Sequence, residues 1–99
     1  MRKTFDPAKL VVTHNSAAHR FESELAGQLA QVNYRISGHR MIITHTEVPE
    51  AFRGNRIGEH LLAFAVESAR KDRLEVVAEC SYAQQFLKRT SSRAPGAER

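Results

Sequence analysis

The segment Arg53-Gly54-Asn55-Arg56-Ile57-Gly58 sets two guanidinium groups and two glycines side by side. Glycine permits positive φ and close approach of a ligand to the backbone. If a helix starts here, the N–H groups of its first turn have no partners within the helix, and its dipole favours negative charge. Phosphate is the ligand such a terminus suits, and Arg53 and Arg56 add charged hydrogen bonds. On its own the segment reads first as a glycine turn that only starts a helix. The single cysteine, Cys80, has no partner for an internal disulfide, which fits a reducing compartment. Placed between a strand and a helix, it would gain thiolate character and serve as a nucleophile for acyl transfer. The alternative is a small buried apolar residue that continues the face of Leu74, Val76 and Ala78.

Other candidates carry less chemistry each. His45 alternates with Ile43 and Glu47 and could accept a proton from an amine, or it could be structural. Glu47 and Glu79 are carboxylates at strand ends, where solvation is the usual state. Tyr82 could protonate a departing thiolate or simply pack in the first turn of a helix. His14 and His19 are five apart, and neither a His-x-x-x-His spacing nor a second cysteine occurs, so no metal is expected.

The elements that must position these residues are legible in the hydrophobic pattern. Leu10 to His14 is a short apolar run, and Phe21, Ser23 and Leu25 alternate with charged residues up to the turn signal Ala26-Gly27. Ala30, Val32, Tyr34 and Ile36 mark a strand that ends at Ser37-Gly38-His39, and Arg40 to Val48 is a β-branched fourth strand. After Pro49 the period changes. Ile57, Leu61, Leu62, Phe64, Ala65, Val66 and Ala69 form the apolar face of a helix over residues 55–72. A fifth strand over 74–79 and a short helix over 81–89 follow. The sequence of strand, helix and strand is a right-handed crossover that makes its two strands parallel. Both then end at one edge of the sheet, together with the start of the long helix and Cys80, where open sheets tend to bind ligands.

Ninety-nine residues suffice for one domain, expected over residues 10–89, with a disordered tail over 90–99 where Ser-Ser, Pro95 and Gly96 replace apolar residues. No run is long enough to span a membrane, so a cytoplasmic protein is expected. The net charge is +4, but the excess lies at the two ends, and residues 10–87 carry eight bases against nine acids. Nucleic acid is therefore only a minor hypothesis for a partner, since no basic stripe is available to neutralise several phosphates.

Val48-Pro49-Glu50-Ala51-Phe52-Arg53-Gly54-Asn55-Arg56-Ile57-Gly58 resembles motif A of the GCN5-related N-acetyltransferases, whose pattern is Arg or Gln, two residues, Gly, one residue, then Gly or Ala. With Thr44-His45-Thr46-Glu47-Val48, Cys80-Ser81-Tyr82-Ala83, Val12-Thr13-His14-Asn15 and Arg20-Phe21, the chain is similar to the compact, YjdJ-type or NATD1-like branch over about residues 10–89. The resemblance implies a mixed-sheet α/β fold in which two splayed parallel strands admit acetyl coenzyme A. It implies that backbone amides of the loop, with Gly54, Asn55, Ile57 and Gly58, hold the pyrophosphate, and that His45, Thr46 and Val48 line the pantetheine arm. Ser81 and Tyr82 complete the implied cofactor contacts, and the thioester lies near Cys80. The implied reaction is acetyl transfer to a primary amine, either directly with a general base or through a cysteine, in a monomer or weak homodimer. One position departs from the motif: Arg56 stands where its first glycine belongs. Its guanidinium either pairs with a phosphate, or its Cβ crowds the loop and weakens binding enough to leave a poor or inactive member; the rival to an enzyme is a non-catalytic acyl-coenzyme A binding or interaction module of the same fold.

Overall fold

The computed structural model describes Phe5, Asp6 and residues 9–93, with the backbone alone for 90–93. Strands β1 (Thr13–Asn15), β2 (Arg20–Leu25), β3 (Gln28–Ser37), β4 (Arg40–Glu47) and β5 (Glu75–Ala78) form one sheet in chain order. The first four pair antiparallel, and β5 runs parallel to β4, as a crossover through helix α1 (Ile57–Lys71) requires. Helix α2 (Ser81–Arg93) follows β5. The mixed α/β arrangement expected from the sequence is thus present.

Two tight turns fix the register of the meander. Between β2 and β3 both central residues, Ala26 and Gly27, have positive φ (51° and 81°), the form that matches the twist of the flanking strands. Between β3 and β4 only Gly38 does so (φ 60°). The register these turns set brings Phe21, Val32 and Tyr34 onto the face covered by α1, where they join Leu61, Leu62, Ala65 and Ala69 in one buried cluster. Leu61 and Leu62 are wholly buried, so truncating either to Ala should cost about 2–5 kcal/mol. Phe64, expected on that apolar face, is 53% exposed. At 100° per residue it lies on the rim of the buried arc.

The ends of α1 are unusual. Arg56 precedes it in the left-handed region (φ 61°) and makes no side-chain cap, and Arg73 beyond its last turn is also left-handed (φ 59°). Arg73 N–H donates to Arg70 O and Leu74 N–H to Ala69 O, the double closure in which glycine is the common left-handed residue. Helix α2 continues to Arg93, past the Arg89 expected from the sequence as its end. Thr90, Ser91 and Ser92 are weak helix formers but not breakers, and the first residue disfavoured for helix is Ala94, ahead of Pro95. The rest of the expected tail, residues 94–99, lies outside the described residues.

A bulge in β4 decides which side chains reach the site. The β3–β4 register runs Tyr34↔Ile43 and then Asn33↔His45, which leaves Thr44 unpaired as the extra residue. Its hydroxyl bonds to Asn33 O at 3.3 Å. One extra residue reverses the alternation, so Thr46 takes the core face opposite buried Val32 while His45 turns to the other face opposite Asn33. The alternation of His45 with Ile43 inferred from sequence is therefore broken. Before the bulge Ile42 faces away from α1 and is still 8% exposed; its cross-strand partner Arg35 reaches Glu79 in a two-bond ion pair of 3.1 and 3.0 Å.

Candidate active site

The pairing of β4 with β5 ends at Ile43↔Ala78, followed by Glu79 N–H to Ile43 O at 2.8 Å. Beyond it β4 runs on through Thr44–Glu47 while the segment after β5 turns into α2. The strands part, and a cleft of about 530 Å³ opens between the end of β4 and the start of α1. His45, Thr46 and Val48 line it from the strand, Arg53, Gly54, Arg56, Ile57 and Gly58 from the turn and first helical turn, and Tyr82 from α2. Glu47 and Phe52 complete the wall. Phe52 went unremarked in the sequence, although an apolar residue directly before the Arg-Gly turn is a signal for a buried anchor.

Along the turn, a single helical turn over Glu50–Phe52 leads into Arg53, whose Nε donates to Val48 O at 3.1 Å and ties the turn to the strand end. Gly54 has φ 92°. Within α1 the first hydrogen bond is His60 N–H to Arg56 O at 3.1 Å, so the amides of Ile57, Gly58 and Glu59 lack helical partners. Because no side chain of Arg56 caps them, this terminus is equipped for an anion, with the exposed Arg56 and Arg53 as additional charge.

Asn55 behaves differently from its neighbours. Its Oδ1 accepts from Phe5 N–H at 3.1 Å and its Nδ2 donates to Phe52 O at 2.9 Å. It is outside the cleft lining and acts as a clamp between the turn and the N-terminal segment, where Phe5 meets Phe52 edge to face at 6.2 Å. Ser81 is exposed and also outside the lining.

Cys80 is half-buried and is not among the residues that line the cleft. It caps α2: its carbonyl accepts from Gln84 N–H at 3.0 Å and its Sγ from Ala83 N–H at 3.4 Å. The Sγ also lies 3.5 Å from Thr46 Oγ1, so the two side chains bridge the gap where the strands part. Tyr82 stands over Gly58, and burial, then the negative charge of Glu59, pushes its phenol above its usual pKa, with Arg89 opposing. Glu59 itself pairs with Arg89 at 2.8 Å and joins the two helices.

Of the possible bases, Glu79 is occupied: its hydrogen bonds to Arg35 hold its carboxyl below the usual range. His45 keeps its ring largely exposed, with Nε2 3.4 Å from Glu47 Oε1. Among the described residues no group of three or more His, Cys, Asp or Glu side chains could hold a metal, and no helix is long and apolar enough to cross a membrane.

The sequence model of the family described as GCN5-related N-acetyl-transferase matches residues 20–94, which include every wall of this cleft. The chain belongs to the GCN5-related N-acetyltransferases. Within that family it is similar to protein NATD1 of Danio rerio, 34% identical over 83 residues that cover 81% of this chain and 76% of the relative. The Homo sapiens NATD1 is 32% identical over 80 residues, 78% of this chain and 71% of the relative. Among solved structures, that of a GCN5-like candidate N-acetyltransferase from Staphylococcus aureus superposes with a TM-score of 0.68 at 28% identity, covering 86% of this chain and 84% of that one. GCN5-related N-acetyltransferases generally use acetyl coenzyme A as donor and act on amines.

Proposed function

We propose that the cleft takes acetyl coenzyme A and that the chain transfers its acetyl group to a primary amine. One observation carries the reading: the stretch of β4 beyond its pairing with β5 and the uncapped N-terminus of α1 form two walls of the same cleft. Backbone of His45, Thr46 and Val48 would hold the pantetheine arm. The amides from Gly54 to Gly58, with Arg53 and Arg56, would hold the pyrophosphate. Asn55 contributes by shaping the turn, and Ser81 by its place at the start of α2.

Cys80 is the proposed nucleophile. Its thiolate attacks the thioester carbonyl past Thr46; a bond forms from Cys80 Sγ to the acyl carbon, and the bond to the coenzyme A sulfur breaks. The departing sulfur takes the phenolic proton of Tyr82 or one from water. An amine then attacks the acyl carbon and loses its proton to His45, and Cys80 leaves as thiolate. The position of Cys80 outside the cleft lining favours a second reading, a binding module without turnover.

Calorimetric titration of the full chain with acetyl coenzyme A tests the first requirement, and saturable 1:1 binding is expected. Absence of binding sinks both readings. Cys80→Ala separates them: the enzyme keeps donor binding and loses acetyl transfer, whereas wild-type chain that binds donor and never acetylates any amine supplied is the module.

A further inference from the structure

The hydroxyl of Thr46 joins the cleft wall to the single cysteine of the chain. Thr46 lines the cleft, Cys80 does not, and their Oγ1 and Sγ are 3.5 Å apart. The relation depends on the Thr44 bulge, since without the extra residue Thr46 would point to the opposite face of the sheet. Ala83 N–H donates to the same sulfur from α2 at 3.4 Å. A hydroxyl and an amide from two elements thus converge on Sγ. A thiol can satisfy Thr46 by donating its own proton to Oγ1, but a thiolate can only accept, so the hydroxyl must then turn its hydrogen toward sulfur.

Resting on the proposed reaction at this site, we infer that Thr46 is a positioning residue that stabilises Cys80 as thiolate and holds it against the cleft wall. Thr46 keeps its own proton throughout. When Cys80 ionises its proton goes to water, and the Thr46 hydroxyl and Ala83 amide remain as the two donors to the anion. Donation to an anion is stronger than donation to a neutral acceptor, so the hydroxyl favours the reactive form.

Because Cys80 is the single cysteine, the mass gain of the intact chain with iodoacetamide reports on this one sulfur. At neutral pH, Thr46→Val should slow alkylation about five-fold, the factor that one lost hydrogen bond of ordinary strength gives. Thr46→Ser keeps the hydroxyl and should alkylate close to the wild-type rate. The difference should close at strongly alkaline pH, where the sulfur is ionised in every variant. Equal rates for wild type and Thr46→Val would overturn the inference, as would a slowing that persists unchanged at alkaline pH, because that marks altered access. The readout needs no acetyl coenzyme A. A chain that fails to bind the donor but shows this alkylation pattern would refute the proposed reaction and uphold the action of Thr46 on the sulfur.

Discussion

Gly58 and Tyr82 are shaped for each other: a Cβ built on Gly58 would lie 2.8 Å from the phenol oxygen of Tyr82 and 3.0 and 3.1 Å from two of its ring carbons. The glycine of the first helical turn therefore does more than leave room for a ligand. It seats the aromatic ring that closes the cleft from α2. Gly58→Ala would gain up to about 1 kcal/mol of helix propensity, but forcing the ring aside costs about 1–3 kcal/mol. A net loss of about 1 kcal/mol in urea denaturation is expected. In a Tyr82→Ala background the same change should be neutral or stabilising, so a loss of equal size in both backgrounds would show that the ring is not the obstacle.

Arg56→Gly should move stability and binding in opposite directions. A left-handed residue with a side chain costs about 1–2 kcal/mol, part of which glycine returns to the flexibility of the unfolded chain, so a gain of about 0.5–1 kcal/mol is expected. The same variant loses an exposed guanidinium on the cleft. If that group pairs with a phosphate, acetyl coenzyme A should bind several-fold more weakly in calorimetry. Tighter binding would mean that the side chain obstructs the turn.

Both outcomes bear on how much of this molecule its sequence discloses. Strands β2 and β3 follow clean alternation and end in glycine turns, and the crossover placed Cys80, the end of β4 and the start of α1 at one edge. The bulge was not legible, because Ile42-Ile43-Thr44 reads as an uninterrupted β-branched run and its extra residue shows only against the partner strand. That one residue turned His45 away from the Ile43 face and brought Thr46 to Cys80. Leu10 and Val12 pack on the core as expected of an apolar run, yet β1 itself starts only at Thr13, and Val11 is 74% exposed. The clamp made by Asn55 joins residues fifty positions apart, a separation at which local pattern carries no information.

That clamp should be measurable. Asn55→Ala removes the acceptor for Phe5 N–H and the donor to Phe52 O, and two lost hydrogen bonds of partly buried groups should cost about 1–2 kcal/mol. Hydrogen exchange in the variant should rise locally over residues 52–58 and leave β2 and β3 protected. Uniformly faster exchange across the sheet would show that Asn55 supports the whole fold rather than the turn.

The two tyrosines of the chain make the alkaline limb of stability predictable. Tyr34 is buried beneath α1, and desolvation, then the charge of Asp72, raises its phenol above the ordinary value of 10.0; Tyr82 is raised by desolvation and then by Glu59. In each case the folded chain holds a phenolic proton that the unfolded chain has already released. Above pH 10 the native state therefore binds more protons than the unfolded state, and stability must fall as pH rises through the folded values. Absorbance near 295 nm should show phenolate appearing at higher pH in native protein than in protein unfolded by urea, for both residues. Tyr82→Phe should leave only the Tyr34 transition and lessen the alkaline loss of urea resistance. It should not abolish that loss, because the Tyr34 hydroxyl, also 2.6 Å from His14 Nε2, stays confined in the core. A native titration that coincides with the unfolded one for either residue would mean that its phenol is solvated and contributes nothing to the alkaline loss.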